Sequence, residues 1–469
     1  MQSIYRIISI ICLTISGSMA LSQNNNELTA GLESRLDSLI QSTMENEHIP
    51  GVAFIIVKDG KTLLKKGYGY TSLGEEIARV DPDRTVFRIG SITKTFTATA
   101  LLQLVDNNQV NLDVPINKYL NSFKVKSTFK KSITPAHLIN HSAGFDELRG
   151  RVVYDSTQSI PLSEFLKERL VPLREPGLIS SYSSYGIALA GLMVEEVTGM
   201  GLEAYMQKHI WEPLEMKNTS MKLTEAIEEQ VSWGYEYRNG INVPMPWEYY
   251  HTYPASDINS TVADMGNYLL MHLNNGTFKE KTVLSTESAY KMKHPSLRVH
   301  PKVEAFAYGF YEEDAQGFRT ISHGGDMLGY ASYLAMVPEE NLGIFVIHHH
   351  EGTRLRYQVL DAILSFYAKS TPSNNVDYRK NTTDLSRFAG SYIWTTHCHS
   401  CETGWKPDLE KLVVNSDGTF TIMNRTYVQV EDLLFKSTDG QRTIGFVENA
   451  KGEITYLSFG ASNMFEKVD

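Results

Sequence analysis

The segment Phe87-Arg88-Ile89-Gly90-Ser91-Ile92-Thr93-Lys94-Thr95-Phe96 constrains this chain more than any other stretch of its length. An apolar run stops at a glycine, a serine follows, and a lysine stands three residues later. Apolar residues then recur at Ala98, Leu101, Leu102, Leu104 and Val105 before Asn107-Asn108. The pattern predicts a helix that opens at Ser91 and stops at an asparagine pair tolerant of left-handed backbone. Residues i and i+3 of a helix share a face, so the Lys94 amine can reach the Ser91 hydroxyl. A serine is a weak nucleophile until a neighbouring base takes its proton. Desolvation lowers a lysine pKa and makes it such a base.

Ser-x-x-Lys alone is a weak signal, because Ser127 to Lys130 and Ser288 to Lys291 repeat it. Neither copy follows a strand and a glycine or opens an apolar helix. The flanks, not the pattern, single out Ser91.

Around this segment the chain reads as α+β. Leu28 to Glu47 carries apolar residues at helical spacing, and Gly51 to Val57 and Lys61 to Tyr70 read as strands joined by an Asp59-Gly60 hairpin turn. Helical patterns recur at Ser163 to Leu170, Gly186 to Val197 and Ala263 to Leu273. Two strands follow at Tyr330 to Val337 and Leu342 to Ile347, with Pro338 to Asn341 as the turn, and then a helix from Arg354 to Tyr367. Strands at both ends with helices between predict a sheet that pairs distant parts of the chain. Residues 370–380 read as a linker because Ser370 to Asn375 is turn-rich. Beyond them, short β-like runs at Leu412 to Val414, Thr419 to Met423, Tyr427 to Val430, Thr443 to Val447 and Ile454 to Phe459 predict a small β-barrel-like domain over 381–469.

Composition bounds the function. With 42% hydrophobic and 10% aromatic residues, 469 residues bury a large core. A formal net charge of -10 argues against nucleic acid as a partner. The local cluster Lys124, Lys126, Lys130 and Lys131 reads as a solvated loop. At the N-terminus, Arg6, the apolar run Ile7 to Ile15 and the small residues of Ser18-Met19-Ala20 form a signal-peptide pattern. Cleavage is expected near Ala20, giving an exported protein, periplasmic or secreted. The apolar run is short for a membrane span, an uncleaved anchor being the alternative, and no later stretch reaches that length. Cys12 lacks the preceding small residue that a lipoprotein signal needs. Only Cys398 and Cys401 then remain, so no disulfide framework holds the body together.

Two further elements carry chemistry. Tyr182-Ser183-Ser184-Tyr185-Gly186 follows Pro176-Gly177 and precedes an apolar helix. A tyrosine near a Ser/Lys pair can relay protons if cationic neighbours acidify its phenol, although an aromatic plugging a loop into the core is the plainer reading. His323-Gly324-Gly325 stands just before the strand at Tyr330. Such glycines let a sheet-edge backbone approach a ligand, or simply make a turn.

In this order and with these flanks, the three elements resemble the penicillin-recognising serine hydrolases: class C β-lactamases, D-alanyl-D-alanine carboxypeptidases and their esterase relatives. The resemblance covers Ile49 to His350 and includes Ile133-Thr134-Pro135-Ala136-His137-Leu138-Ile139-Asn140-His141-Ser142-Ala143-Gly144 and Asn259-Ser260-Thr261-Val262-Ala263-Asp264-Met265. It implies a β-lactamase/transpeptidase-like antiparallel sheet flanked by helices, plus an all-helical region, over 27–369. It further implies Ser91 as nucleophile, Lys94 as its partner in proton removal, and Tyr182 as base for acylation and acid for the leaving group. The oxyanion hole would be the backbone N–H groups of Ser91 and of Asp326, the residue after Gly325. No metal or organic cofactor is implied.

Two departures redirect the expected substrate. Ser184 stands where the family usually has asparagine, with shorter reach and no amide. His323 stands where many members have lysine, replacing a permanent cation with a group mostly neutral above about pH 6.5. Pro254-Ala255-Ser256-Asp257 also lacks the expected Gly-Gly after Pro-Ala. The expectation is an exported serine hydrolase cleaving small esters or amides, D-amino-acid peptides included. A β-lactamase or a D-Ala-D-Ala carboxypeptidase acting on peptidoglycan is the first alternative. An acylable penicillin sensor or a non-catalytic binding module is the second. Elsewhere, His397-Cys398-His399-Ser400-Cys401 reads as a local disulfide or inert thiols, with zinc as the lesser option. His348-His349-His350 reads as a strand end trailing into solvent, with metal binding as the lesser option. Trp394 and Trp405 are expected to seat the core of the β domain. The oligomeric state is not legible.

Overall fold

The computed structural model describes residues 29–74, 77–350, 352–367, 384–402 and 407–469. The expected leader at 1–20, the linker at 370–380 and Trp405 lie outside these residues.

Helix α1 covers residues 29–47. Strands β1 (Gly51–Lys58) and β2 (Lys61–Gly69) follow, joined by Asp59 and Gly60 at φ 51° and 79°, the left-handed pair that a two-residue hairpin turn requires. Helices α2 (Thr93–Asp106), α3 (Ser184–Thr198) and α4 (Val262–Leu273) come next. Then come β3 (Tyr311–Ala315), β4 (Phe318–Met327), β5 (Tyr330–Val337), β6 (Leu342–His348) and helix α5 (Leu355–Tyr367). The six strands form one antiparallel sheet in the order β3-β4-β5-β6-β1-β2, so the first strand of the chain pairs with the last of the sheet, Val52 opposite His348.

The unbroken apolar run of β1 has a direct cause. Val52, Phe54 and Ile56 pack on one face against α1 and α5, while Ala53, Ile55 and Val57 pack on the other with α2, α3 and α4. A strand buried on both faces reads as continuous rather than alternating. Helix α2 is buried from Thr93 to Leu104, which makes it the central rod of the domain. It ends as expected, with Asn108 at φ 57°.

The C-terminal unit is a closed barrel of eight strands: β7 (Gly390–Trp394), β8 (Glu410–Val414), β9 (Phe420–Ile422), β10 (Arg425–Glu431), β11 (Leu434–Ser437), β12 (Thr443–Glu448), β13 (Ile454–Ser458) and β14 (Met464–Lys467). Pairing of β7 with β14 closes it. Its core is built on Phe388, Phe420, Phe435 and Phe446, with Trp394 half-buried at the side and donating from Nε1 to the Ser462 carbonyl. Among the described residues, phenylalanine rather than Trp394 seats this core.

Two expectations are corrected. His323-Gly324-Gly325 does not precede a strand; it lies inside β4, which is flanked by β3 and β5 and is not a sheet edge. His348, His349 and His350 do not trail into solvent. All three are buried, with His349 edge-on to Phe87 and Tyr235. Cys398 and Cys401, by contrast, form the local disulfide, the first of the expected readings, and the described residues hold no cluster suited to a metal. The Lys124 to Lys131 stretch keeps its lysines exposed, as expected.

Candidate active site

A tight turn presents Ser91. Gly90 has φ 57°, a conformation that glycine tolerates without steric cost, and a single 3-10 turn (Gly90–Ile92) leads into α2. Strand β4 presses against this turn. A Cβ on Gly325 would lie 2.0 Å from the Ile89 carbonyl oxygen, and one on Gly90 would lie 3.1 Å from the Asp326 nitrogen. The second glycine of His323-Gly324-Gly325 therefore serves a backbone-to-backbone approach, not a turn. Ser332 Oγ on β5 donates to the same Ile89 carbonyl at 2.9 Å. The glycine contact brings the Asp326 backbone nitrogen close to the turn that carries Ser91.

Lys94 occupies the next turn. Its Nζ is 3.0 Å from Ser91 Oγ and donates to the Ala255 carbonyl at 2.8 Å. The side chain is buried, and desolvation, reinforced by the Arg151 charge and opposed by Glu147, lowers its pKa to about 7. Ala255 is held in turn: Thr97 Oγ1 donates to the Pro254 carbonyl at 2.6 Å, and α3 reaches Pro254 through Gly191, where a Cβ would meet the proline ring at 2.5 Å. The missing Gly-Gly thus leaves a proline-alanine wall that grips the lysine.

Tyr182 faces the same group. It shares a hydrogen bond with Ser91, and Lys94 Nζ is 4.8 Å from its ring centroid. Burial raises its pKa, so the phenol is neutral and is not acidified in the way expected for a base. His141 packs against it at 4.7 Å between centroids and accepts the Ser183 N–H on Nδ1 at 3.0 Å. Burial, with the Lys94 charge, holds His141 neutral. Ser183 caps α3 by accepting the Gly186 N–H at 3.1 Å, and Ser184 opens that helix, partly exposed.

His323 is buried and neutral. Its Nδ1 is 2.7 Å from the Gly324 carbonyl, which can only accept, so the proton sits on Nδ1 and Nε2 is an acceptor. That Nε2 has no partner among the described residues. Burial, then the Lys94 charge, pushes the pKa to about 3, so the titration expected near pH 6.5 moves far below it. Asp326 turns its carboxylate outward, paired at 2.7 Å with Arg356, which also donates to the Gly325 and Ser332 carbonyls at 3.0 and 3.1 Å.

The fold agrees with the comparisons with known proteins. The Beta-lactamase family model matches residues 36–367. The chain belongs to the Beta-lactamase family. Members of this β-lactamase-fold family are generally serine hydrolases. Among curated relatives, Protein flp of Staphylococcus aureus (strain MW2) is 25% identical over 367 residues, covering 72% of this chain and 70% of that one. Beta-lactamase-like protein 4 of Dictyostelium discoideum is 27% identical, covering 68% of this chain and 60% of that one. The octameric penicillin-binding protein homologue from Pyrococcus abyssi superposes with a TM-score of 0.62 at 23% identity, covering 92% of this chain and 99% of that one. SurE with D-Leu gives 0.64 at 18%, covering 94% and 100%. At these identities the solved structures establish the fold, barrel included.

The tertiary structure thus brings Ser91, Lys94, Tyr182, His323, Gly325 and Asp326 together, with Ser184 at the start of the helix beside them. The sequence reading missed His141, Ala255 and Arg356. His141 lay within a quoted flank and has φ 60°, but no local signal marks it as a partner of Tyr182. Ala255 acts through its carbonyl, which side-chain identity cannot reveal.

Proposed function

We propose that this chain is an exported serine hydrolase that cleaves small esters or amides through an acyl-enzyme on Ser91. The observation that carries the reading is Lys94: a buried amine 3.0 Å from Ser91 Oγ, with its pKa lowered to about 7. Near neutral pH a large fraction is unprotonated and able to take the serine proton. Ser91 Oγ then bonds to the substrate carbonyl carbon. The Ser91 and Asp326 N–H groups receive the developing oxyanion, donors of a kind worth about 3 kcal/mol each. The bond to the leaving group breaks as Tyr182 gives its phenolic proton to the departing oxygen or nitrogen. Lys94 reprotonates the phenolate, and water attacks the acyl carbon to free Ser91.

The neutral His323 argues for substrates without a carboxylate beside the scissile bond, because no cation stands at that position. This weighs against β-lactams and peptidoglycan termini. SurE was solved with D-Leu, which keeps D-amino-acid derivatives as the second reading. Export follows from the N-terminal pattern and is supported by the Cys398–Cys401 disulfide, a bond that persists in oxidising compartments.

The test incubates the mature protein and its Ser91→Ala variant with a chromogenic ester, a D-Ala-D-Ala peptide and a penicillin, following turnover and intact mass. Ester turnover lost in the variant is expected. Activity that survives the substitution overturns the mechanism, and a lasting penicillin adduct without turnover points to a sensor.

A further inference from the structure

Among the contacts between the barrel and the catalytic domain is the loop Thr395 to Cys401, which follows β7 and is closed on itself by the Cys398–Cys401 disulfide. Its anchors adjoin catalytic residues. Ser181 Oγ, one residue before Tyr182, donates to Thr395 Oγ1 at 2.9 Å, and both residues are buried. The Ser181 N–H donates to the His141 carbonyl at 2.7 Å, so the same residue also steadies the ring packed on Tyr182. The buried Asp146 carboxylate accepts the His399 N–H at 2.8 Å, the Ser400 N–H at 2.9 Å and the Ser400 hydroxyl at 2.6 Å. Arg174 bridges His399 Nε2 at 3.0 Å and the Glu466 carboxylate of β14 at 2.6 Å. Asp146 directly precedes Glu147, which pairs with Arg151, and these two charges are the ones that act on Lys94. Two consecutive backbone N–H groups meeting one carboxylate need a fixed loop shape, and the disulfide closes the loop around them.

We propose that the loop Thr395 to Cys401 is a positioning element for Tyr182, acting through the Ser181–Thr395 hydrogen bond and the Asp146 clamp. The inference rests on the hydrolase reading above. Without the hydrogen bond, the segment carrying Tyr182 loses this polar tie to the barrel and keeps the apolar packing of Ile179 on Tyr456 and Met464, and the phenol is less well aimed at the leaving group. The step affected is proton donation as the acyl carbon to leaving-group bond breaks. An alkoxide needs that proton, whereas nitrophenolate is a stable anion at neutral pH and does not.

The experiment compares hydrolysis of an ethyl ester and a p-nitrophenyl ester of the same acid by the full-length mature protein. Thr395→Val, which removes the hydroxyl at similar size, is expected to slow the ethyl ester about tenfold or more while changing the nitrophenyl ester by about twofold or less, within the range of general acid catalysis. Thr395→Ser should restore the ratio. Ser181→Ala, cutting the same bond from the other side, should repeat the skew. So should reduction of the wild type with dithiothreitol, and a Cys398→Ser/Cys401→Ser variant should show the skew without reductant. Equal losses on both esters, or no change, overturn the proposal, because a general loss of structure lowers both alike. If Ser91→Ala abolishes both activities while Thr395→Val gives no skew, the hydrolase reading stands and this one falls. Activity that survives Ser91→Ala sinks the hydrolase reading itself.

Discussion

Gly325 and Ile89 are in backbone contact across the strand and the nucleophile turn: a Cβ on the glycine would lie 2.0 Å from the isoleucine carbonyl oxygen. The oxygen belongs to the residue two before Ser91, so any side chain on β4 here pushes the oxyanion nitrogens apart. Gly325→Ala is expected to lower kcat/KM about 10²-fold, the scale of one lost oxyanion donor. Steady-state assays with a chromogenic ester check this, and activity within about twofold of wild type would show that the contact is dispensable.

The pH profile should report Lys94. Its amine is the base only when unprotonated, and burial places its pKa at about 7. kcat/KM is therefore expected to rise with pH to a plateau, with an apparent pKa near 7. Lys94→Arg keeps the charge but stays protonated throughout this range. A flat profile in the wild type, or substantial activity in the arginine variant, contradicts the assignment.

Stability should fall on mild acidification. Burial holds the pKa of His272, His323 and His348 at about 3 and that of His349 at about 4, against an unfolded value of 6.5. These groups are neutral in the fold, so between pH 6.5 and about 4 the unfolded chain binds more protons than the native one. Their stabilising contribution is complete above pH 6.5 and is lost progressively as pH falls towards 3 to 4. Thermal unfolding midpoints from pH 8 to 4 check the sign; a midpoint that climbs across this window refutes it.

Arg356 supports β4 from behind. Arg356→Met removes donors to the Gly325 and Ser332 carbonyls and frees Asp326, whose side chain is 70% exposed and therefore remains solvated. The cost comes mainly from the Ser332 carbonyl, about 1–3 kcal/mol if left unpaired, rather than from the stranded acid, because the Gly325 carbonyl keeps Ser332 Oγ at 3.3 Å. Chemical denaturation should show the loss, with kcat reduced alongside. An Asp326→Asn variant should be far milder in stability.

Much of the site was legible because its side chains come from local patterns. Ser91 and Lys94 are one helical turn apart, and a Gly-Ser break before an apolar helix is a local signal. The α+β class followed from strands at both ends of the domain. Strand β4 was not legible: Phe318–Met327 is polar and carries two glycines, so it reads as a turn, and only pairing with β3 on one side and β5 on the other makes it a strand. The barrel strands β7, β11 and β14 escaped for a related reason, being short and stabilised by closure rather than by their own composition.

By itself, then, the sequence determined the nucleophile and its lysine, the family resemblance and the presence of a second, β-rich unit. Hydrophobic periodicity and turn chemistry act over a few residues, and those features live at that range. Tertiary structure decided the charge states and the supports. His323 and Tyr182 are neutral because of what buries them, Lys94 is held by a carbonyl 161 residues away, and the segment before Tyr182 is tied to a loop of the barrel 214 residues further on. Desolvation and long-range hydrogen bonds depend on which distant segments meet, and no local pattern in the chain encodes that.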